Sequence, residues 1–381
     1  MKFNRAGVAA GLLATTVALA ACGSDASGSG SSDTAGSTTG ATTSGSSSTG
    51  GGAAAACSTG TLNGEGSTAQ TNAVTEWTNA YQKACTGAKI NYNPTGSGAG
   101  ISQFNAGQVD FAGSDSPLSK DAGEVAAAQK RCKSAPLDLP MVVGPIAIGY
   151  KLDGVDKLVL TPDLLAKIFT GKITKWNDPA ITAKNSGAKL PSSAINVIFR
   201  SDASGTTQNF EKYLAATAPS DFTAEPAKDN AAKVFKGQGK AKSQGVAAAV
   251  AATEGSIGYA EYSFAVDSSL ATAQIDSGSG PVEISKDTAS AAAGEAKVAG
   301  TGDDLSLQLN YKPSSAKAYP IILVTYEIAC TKYSDSAKGT FVKNFLNYTI
   351  GAGQDVLASK GYAPIPTELA TKVKASIAKI S

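Results

Sequence analysis

Arg200-Ser201-Asp202-Ala203-Ser204-Gly205-Thr206-Thr207 sits where one kind of periodicity gives way to another. Before it, Ile195-Asn196-Val197-Ile198-Phe199 reads as a buried strand. After it, Phe210, Tyr213 and Leu214, at i, i+3 and i+4, line the inner face of a short helix. The stretch is therefore a strand–turn–helix junction with one fixed cation, two small hydroxyls and a glycine. Unpaired N–H groups of the first helical turn point where the Ser204 and Thr206 hydroxyls point. Arg200 adds a planar fork of donors shaped for an oxyanion. The plain alternative makes Ser204 an ordinary N-cap and Arg200 a solvated strand end.

Two similar junctions lie upstream. Thr61 to Thr68 is a short strand running into the turn Gly66-Ser67-Thr68, ahead of a helix lined by Val74, Trp77, Tyr81 and Ala84. A strand from Lys89 to Asn93 leads to Gly96-Ser97-Gly98-Ala99-Gly100 and a helix holding Ile101 and Phe104. A third strand, Val109 to Gly113, leads to Ser114-Asp115-Ser116-Pro117 and an alanine-rich helix towards Cys132. This alternation predicts an α/β protein of parallel sheets, with ligands gathering at the carboxyl ends of the strands, where these loops fall. The glycine run lacks the full GxGxxG of a dinucleotide turn, and Gly239-Lys240 is followed by Ala241, not by the Ser or Thr of a nucleotide-binding loop.

The apolar runs Leu139 to Tyr150 and Tyr319 to Cys330 read as strands crossing between two lobes. The expected division is 57–143 plus 321–381 for one lobe and 144–320 for the other. Between them Thr161-Pro162-Asp163 opens a helix that stops at Gly171, and Gly255-Ser256-Ile257-Gly258-Tyr259 reads as a strand closely approached by another backbone. Residues 280–301 carry little pattern and read as variable surface. Two amphipathic helices close the chain.

There is no histidine among the 381 residues, which removes Ser–His–Asp and Cys–His catalysis and His-based metal sites; no cofactor is expected. Lys2 and Arg5 precede an apolar, alanine-rich stretch from Val8 to Ala20, the pattern of a secretory signal over 1–21. Leu19-Ala20-Ala21-Cys22 resembles a bacterial lipobox, which makes Cys22 the lipidated residue and places the protein on the extracytoplasmic face of the membrane. Residues 22–56, nearly all Gly, Ser, Thr and Ala, read as a tether. Without Lys2 and Arg5, 31 basic residues face 31 acidic ones, so nucleic acid is not an expected partner. Cys57, Cys85, Cys132 and Cys330 remain for two disulfides in an oxidising compartment. Of three connectivities the favoured one joins Cys85 to Cys132, both after helical stretches of the same half, and leaves Cys57 with Cys330.

Asp115 stands among these anion-donor loops, where it either caps the helix after Pro117 or meets a ligand. A carboxylate facing an anion in a dry site needs a proton between them. Phosphate carries one near neutral pH, whereas sulfate presents only lone pairs.

These loops, with Ile173-Thr174-Lys175-Trp176-Asn177-Asp178 and Gly255-Ser256-Ile257-Gly258-Tyr259, resemble the phosphate-specific substrate-binding proteins of bacterial ABC importers, in their actinobacterial lipoprotein form. The resemblance runs from Leu62 to the C-terminus. It implies a two-lobed type II periplasmic-binding-protein fold, with two crossover strands, that closes on inorganic phosphate and serves ABC permease subunits as a monomer. Carried over by position, Thr68, the Ala69 N–H, Ser97 and Asp115 bind from one lobe; Arg200, Ser204, the Gly205 N–H and Thr206 bind from the other. Asp202 pairs with Arg200. Ala69 stands where many members carry an aromatic residue. Competing expectations are a secreted phosphatase using Ser97 or Ser204 as nucleophile, and an adhesin or signalling protein that kept the fold.

Overall fold

The computed structural model describes residues 55–381, so the signal sequence, Cys22 and the tether up to residue 54 lie outside the described residues. Its organising element is the strand Pro136–Lys151, long enough to belong to two cores at once. Residues 136–145 pair antiparallel with the strand Ile322–Cys330, and residues 146–151 pair antiparallel with Ser256–Glu261. An almost unbroken apolar run is what a strand covered on both faces requires.

On one side of this strand, Ile322–Cys330 continues to Phe111–Ser114, then Gly60–Gly66, then Ala88–Pro94. On the other, Ser256–Glu261 continues to Asn196–Arg200 and Gln238–Lys240. The outer strands on both sides run parallel to their neighbours, so their carboxyl ends open into loops at the centre of the molecule. Two large hydrophobic cores accompany these two groups of strands. The first gathers Trp77, Tyr81, Phe104, Phe111, Phe341 and Phe345. The second gathers Phe169, Trp176, Phe210, Tyr213, Phe235 and Tyr259. Tyr319 and Ile321 pack into the second core while Ile328 packs into the first, so the later apolar run does pass from one to the other.

Local expectations hold where periodicity is strong. Thr161 caps the helix Pro162–Phe169 by accepting from Leu164 N, and Gly171 follows it at φ +77°. The helix Thr71–Ala84 buries Ala73, Val74, Trp77 and Tyr81; Ala84 is exposed, and the residue closing that face is Cys85.

The disulfide pairing differs from the expected one. Cys57 bonds Cys85, and Cys132 bonds Cys330, with Cα separations of 5.2 and 5.4 Å. Strand register is the reason. Gly60 pairs with Ala88 in the parallel ladder, so three residues earlier Cys57 falls beside Cys85. Cys330 pairs with Pro136, the strand start that follows the helix Glu124–Cys132. Proximity along a half of the chain carried no such information.

Residues 280–301 are also more ordered than their sequence suggests. Ser285 and Thr288 form a reciprocal capping box for the helix Lys286–Ala293, which buries Ala289, Ala292 and Ala293 in the first core. An alanine face is small, and it left no large-residue pattern to read.

Candidate anion-binding site

Asp115 is the focus of the central loops. It follows the strand Phe111–Ser114 and is 3% exposed. Its Oδ1 accepts from the Ser67 hydroxyl and from Thr325 Oγ1 (2.9 Å). Its Oδ2 accepts from Thr206 Oγ1 (3.0 Å) and, at a longer 3.4 Å, from Ser97 Oγ. Four hydroxyls from four separate segments therefore converge on one carboxylate. Burial pushes the Asp115 carboxyl up, while the Ser67 and Thr325 hydroxyls, the Arg200 charge and Thr206 pull it back, leaving a net rise.

Ser97, the first residue of the helix Ser97–Asn105, joins the two halves. Its Oγ accepts from Asp115 N at 3.1 Å and from Gly205 N at 3.2 Å, one donor from each side. Gly205 is required there: a Cβ would stand 2.7 Å from Asp115 Cβ and 2.8 Å from Ser97 Oγ. Gly205 begins the helix Gly205–Thr217, whose N-cap is Ser204, accepting from Thr207 N at 3.2 Å. With its oxygen so engaged, the Ser204 hydroxyl hydrogen remains available to a ligand.

Arg200 ends the strand Asn196–Arg200 with its side chain 2% exposed. Asp202 accepts from Nε at 2.8 Å and from Nη2, a bidentate pair. Burial alone would raise the Asp202 carboxyl, but bonding to Arg200 and its charge hold it below its usual range. Nη1 donates to Ser243 Oγ at 3.3 Å. Three of five guanidinium N–H groups are thus used to aim the side chain, and two are left for an oxyanion. Such an arrangement can fix a tetrahedral anion between one carboxylate, one cation and a set of neutral donors.

The family profile described as a PBP superfamily domain matches residues 51–352. The phosphate-binding protein PstS 3 of Mycobacterium tuberculosis is 44% identical over the whole of both chains. PstS 2 of the same organism is 42% identical, again over both whole chains, and PstS of Xylella fastidiosa is 33% identical over 79% of this chain and 80% of its own. The chain belongs to the PstS family. The fold agrees: a periplasmic phosphate-binding protein solved with phosphate superposes with a TM-score of 0.68 at 24% identity, covering 83% of this chain and 93% of its own.

Against the expected site, Asp115, Ser97, Gly205 and Thr206 meet directly, and Arg200 with Asp202 stands beside them. Thr68 lies one step out. Its Oγ1 contacts Ser243 Oγ at 2.9 Å and accepts from Ser243 N at 3.2 Å. Ala69 is fully buried, its N–H donates to Ser67 Oγ at 3.1 Å, and its carbonyl accepts from Tyr362 Oη at 2.7 Å. Ser67, Thr325 and Ser243 were not singled out. Ser67 lies inside the turn Gly66-Ser67-Thr68. Thr325 could have been found as the one aliphatic hydroxyl within Ile321-Ile322-Leu323-Val324-Thr325-Tyr326, where an apolar strand has no packing reason for it. Ser243 is a serine near a helix start and gave no signal.

Proposed function

We propose that this chain captures inorganic phosphate between its lobes and delivers it to an ABC permease, held at the extracytoplasmic membrane face by a lipid on Cys22. The observation carrying this reading is the buried Asp115 carboxylate ringed by hydroxyls from both sides, with Arg200 alongside. Each Ser or Thr hydroxyl has one hydrogen, now aimed at Asp115. A protonated phosphate entering the ring gives its own hydrogen to Asp115, and the Ser67, Ser97 and Thr206 hydroxyls turn to donate to phosphate oxygens instead. The exchange keeps every buried polar group paired. Sulfate has no hydrogen to give, so it would leave two acceptors face to face.

Thr68, the Ala69 N–H, Ser97 and Asp115 supply the first-lobe half of this site. Arg200, Ser204, the Gly205 N–H and Thr206 supply the other, and Asp202 moderates the arginine. Closure pivots where the two crossing segments pass between cores, near residues 144–146 and 319–321. A dissociation constant near roughly 1 μM corresponds to about −8 kcal/mol. A few charge-assisted hydrogen bonds at roughly 1.5–3 kcal/mol each reach that after ordering costs. The names of the mycobacterial relatives support the same ligand.

Isothermal titration with phosphate, sulfate and molybdate, alongside an aryl phosphate turnover assay, tests the reading. It expects phosphate binding, weak or absent sulfate binding and no turnover. Turnover would favour the hydrolase, and no anion binding would favour the adhesin or signalling protein.

A further inference from the structure

Lys228 Nζ lies 2.7 Å from Glu124 Oε1, with the two side chains only 14% and 16% exposed. Glu124 opens the helix Glu124–Cys132, which enters the first core through Ala128 and Cys132. Its second oxygen, Oε2, accepts from Ser119 N at 2.8 Å, so the carboxylate is held from its own side. Lys228 lies in the segment between Phe222 and Ala231, both in the second core. Ala227 N donates to Glu211 Oε2 at 2.9 Å and fixes that segment. Among the described residues no other ion pair joins the two cores.

The same lysine also touches the site. Its carbonyl accepts from Ser204 N at 2.8 Å, and Ser204 caps the helix that presents Gly205 and Thr206. One residue thus grips the opposite lobe with its ammonium and the rim of the anion site with its backbone. Lys212 stands near enough that burial and the Lys228 charge lower its ammonium below the usual range. Glu124 offsets the Lys228 charge, and losing it leaves that ammonium without its counter-ion.

We propose that Lys228 and Glu124 form a closing latch that holds the lobes together over the bound anion and sets how fast it leaves. The inference rests on the phosphate-receptor reading. A buried anion cannot escape until the lobes part, and every cross-lobe bond that must break first slows that step. Encounter with the open protein does not involve the pair. The latch therefore acts on dissociation, as partly desolvated charge pairs do at interfaces.

The test is release of radiolabelled phosphate from the mature protein into excess unlabelled phosphate, followed by rapid filtration, for the parent, Lys228→Met, Glu124→Gln and the double variant. Each single change should speed release by about tenfold with association altered by less than about twofold. The double variant should release no faster than the faster single one, because both remove the same contact. Lys338→Met, which breaks the first-lobe pair to Asp110, serves as a control and should leave release unchanged. Unchanged release in both single variants that still bind phosphate overturns the latch alone, as does an equal effect of Lys338→Met. A parent that binds no phosphate overturns the receptor reading and the latch with it.

Discussion

The two lobes bring opposite equipment to the same few ångströms. The first contributes a carboxylate and neutral hydroxyls: Asp115, Ser67, Ser97 and Thr325. The second contributes the fixed cation Arg200, tied to Asp202, and the helix start at Gly205 and Thr206. Neither half alone offers the full set, since one lacks a cation and the carboxylate of the other, Asp202, is committed to Arg200. The first lobe is also stapled by both disulfides, while the second relies on packing of Phe169, Phe210, Phe235 and Tyr259. On the reading proposed above, the contrast teaches that recognition is divided by charge and made whole by closure.

The largest effect expected from that contrast is on stability. Cys132 and Cys330 are 198 residues apart, and Cys57 and Cys85 are 28 apart. On a chain-entropy estimate, replacing the first pair with Ala costs about 5 kcal/mol and the second about 4 kcal/mol. Urea unfolding under oxidising conditions measures both, and an equal loss from both pairs would remove loop length as the cause. Next in size is Arg200→Ala, expected to weaken phosphate binding by roughly 2 kcal/mol or more, because the site's one guanidinium goes. A loss of a few tenths in calorimetry would place Arg200 outside the site. Asp115→Ala, on the opposite lobe, should cost selectivity instead of bulk affinity. The phosphate-to-sulfate ratio should narrow by about tenfold or more, and an unchanged ratio would break the division of labour.

The smallest effect concerns two buried acids flanking Asp115, one per lobe. Burial pushes Glu327 up to about 8, with the Gln70 amide opposing and the Asp115 charge adding. Burial likewise pushes Glu261 up to about 8, with Ser263 and Tyr362 opposing and Asp115 adding. Each folded carboxyl holds its proton more tightly than the unfolded chain does. The stability this gives is complete below the ordinary glutamate range and is lost as pH rises through about 8. Glu327→Gln keeps the neutral shape, so its melting temperature should fall less between pH 7 and pH 8 than the parent's, by the equivalent of roughly 1 kcal/mol. A parallel decline in both proteins would mean that Glu327 is ionised throughout.

Much of this site was legible because its parts are local. A strand, a small-residue turn and a helix start leave marks within a dozen residues, which is why spacing and resemblance point to Ser97, Asp115, Gly205 and Thr206, which the structure brings into contact, and to Arg200 and Ser204 beside them as a candidate site. What failed was non-local. The Cys57–Cys85 pairing depends on a parallel register, Gly60 against Ala88, that no short-range pattern encodes. Thr325 and Ser243 reach the site from 210 and 43 positions away from the residues they bond. The helix Lys286–Ala293 went unread because alanine fills a tight interface without a strong hydrophobic period. The capping pair Ser285 and Thr288 was its visible trace.

A crystal structure of the mature protein grown with phosphate tests the central claim most directly. The account predicts a phosphate oxygen within about 2.5–2.7 Å of an Asp115 carboxylate oxygen, the short distance of a proton shared with an ionised acceptor, with Arg200, Ser97 and Thr206 on the remaining oxygens. Phosphate bound elsewhere, or Asp115 turned to solvent with its hydroxyl ring dispersed, would contradict it.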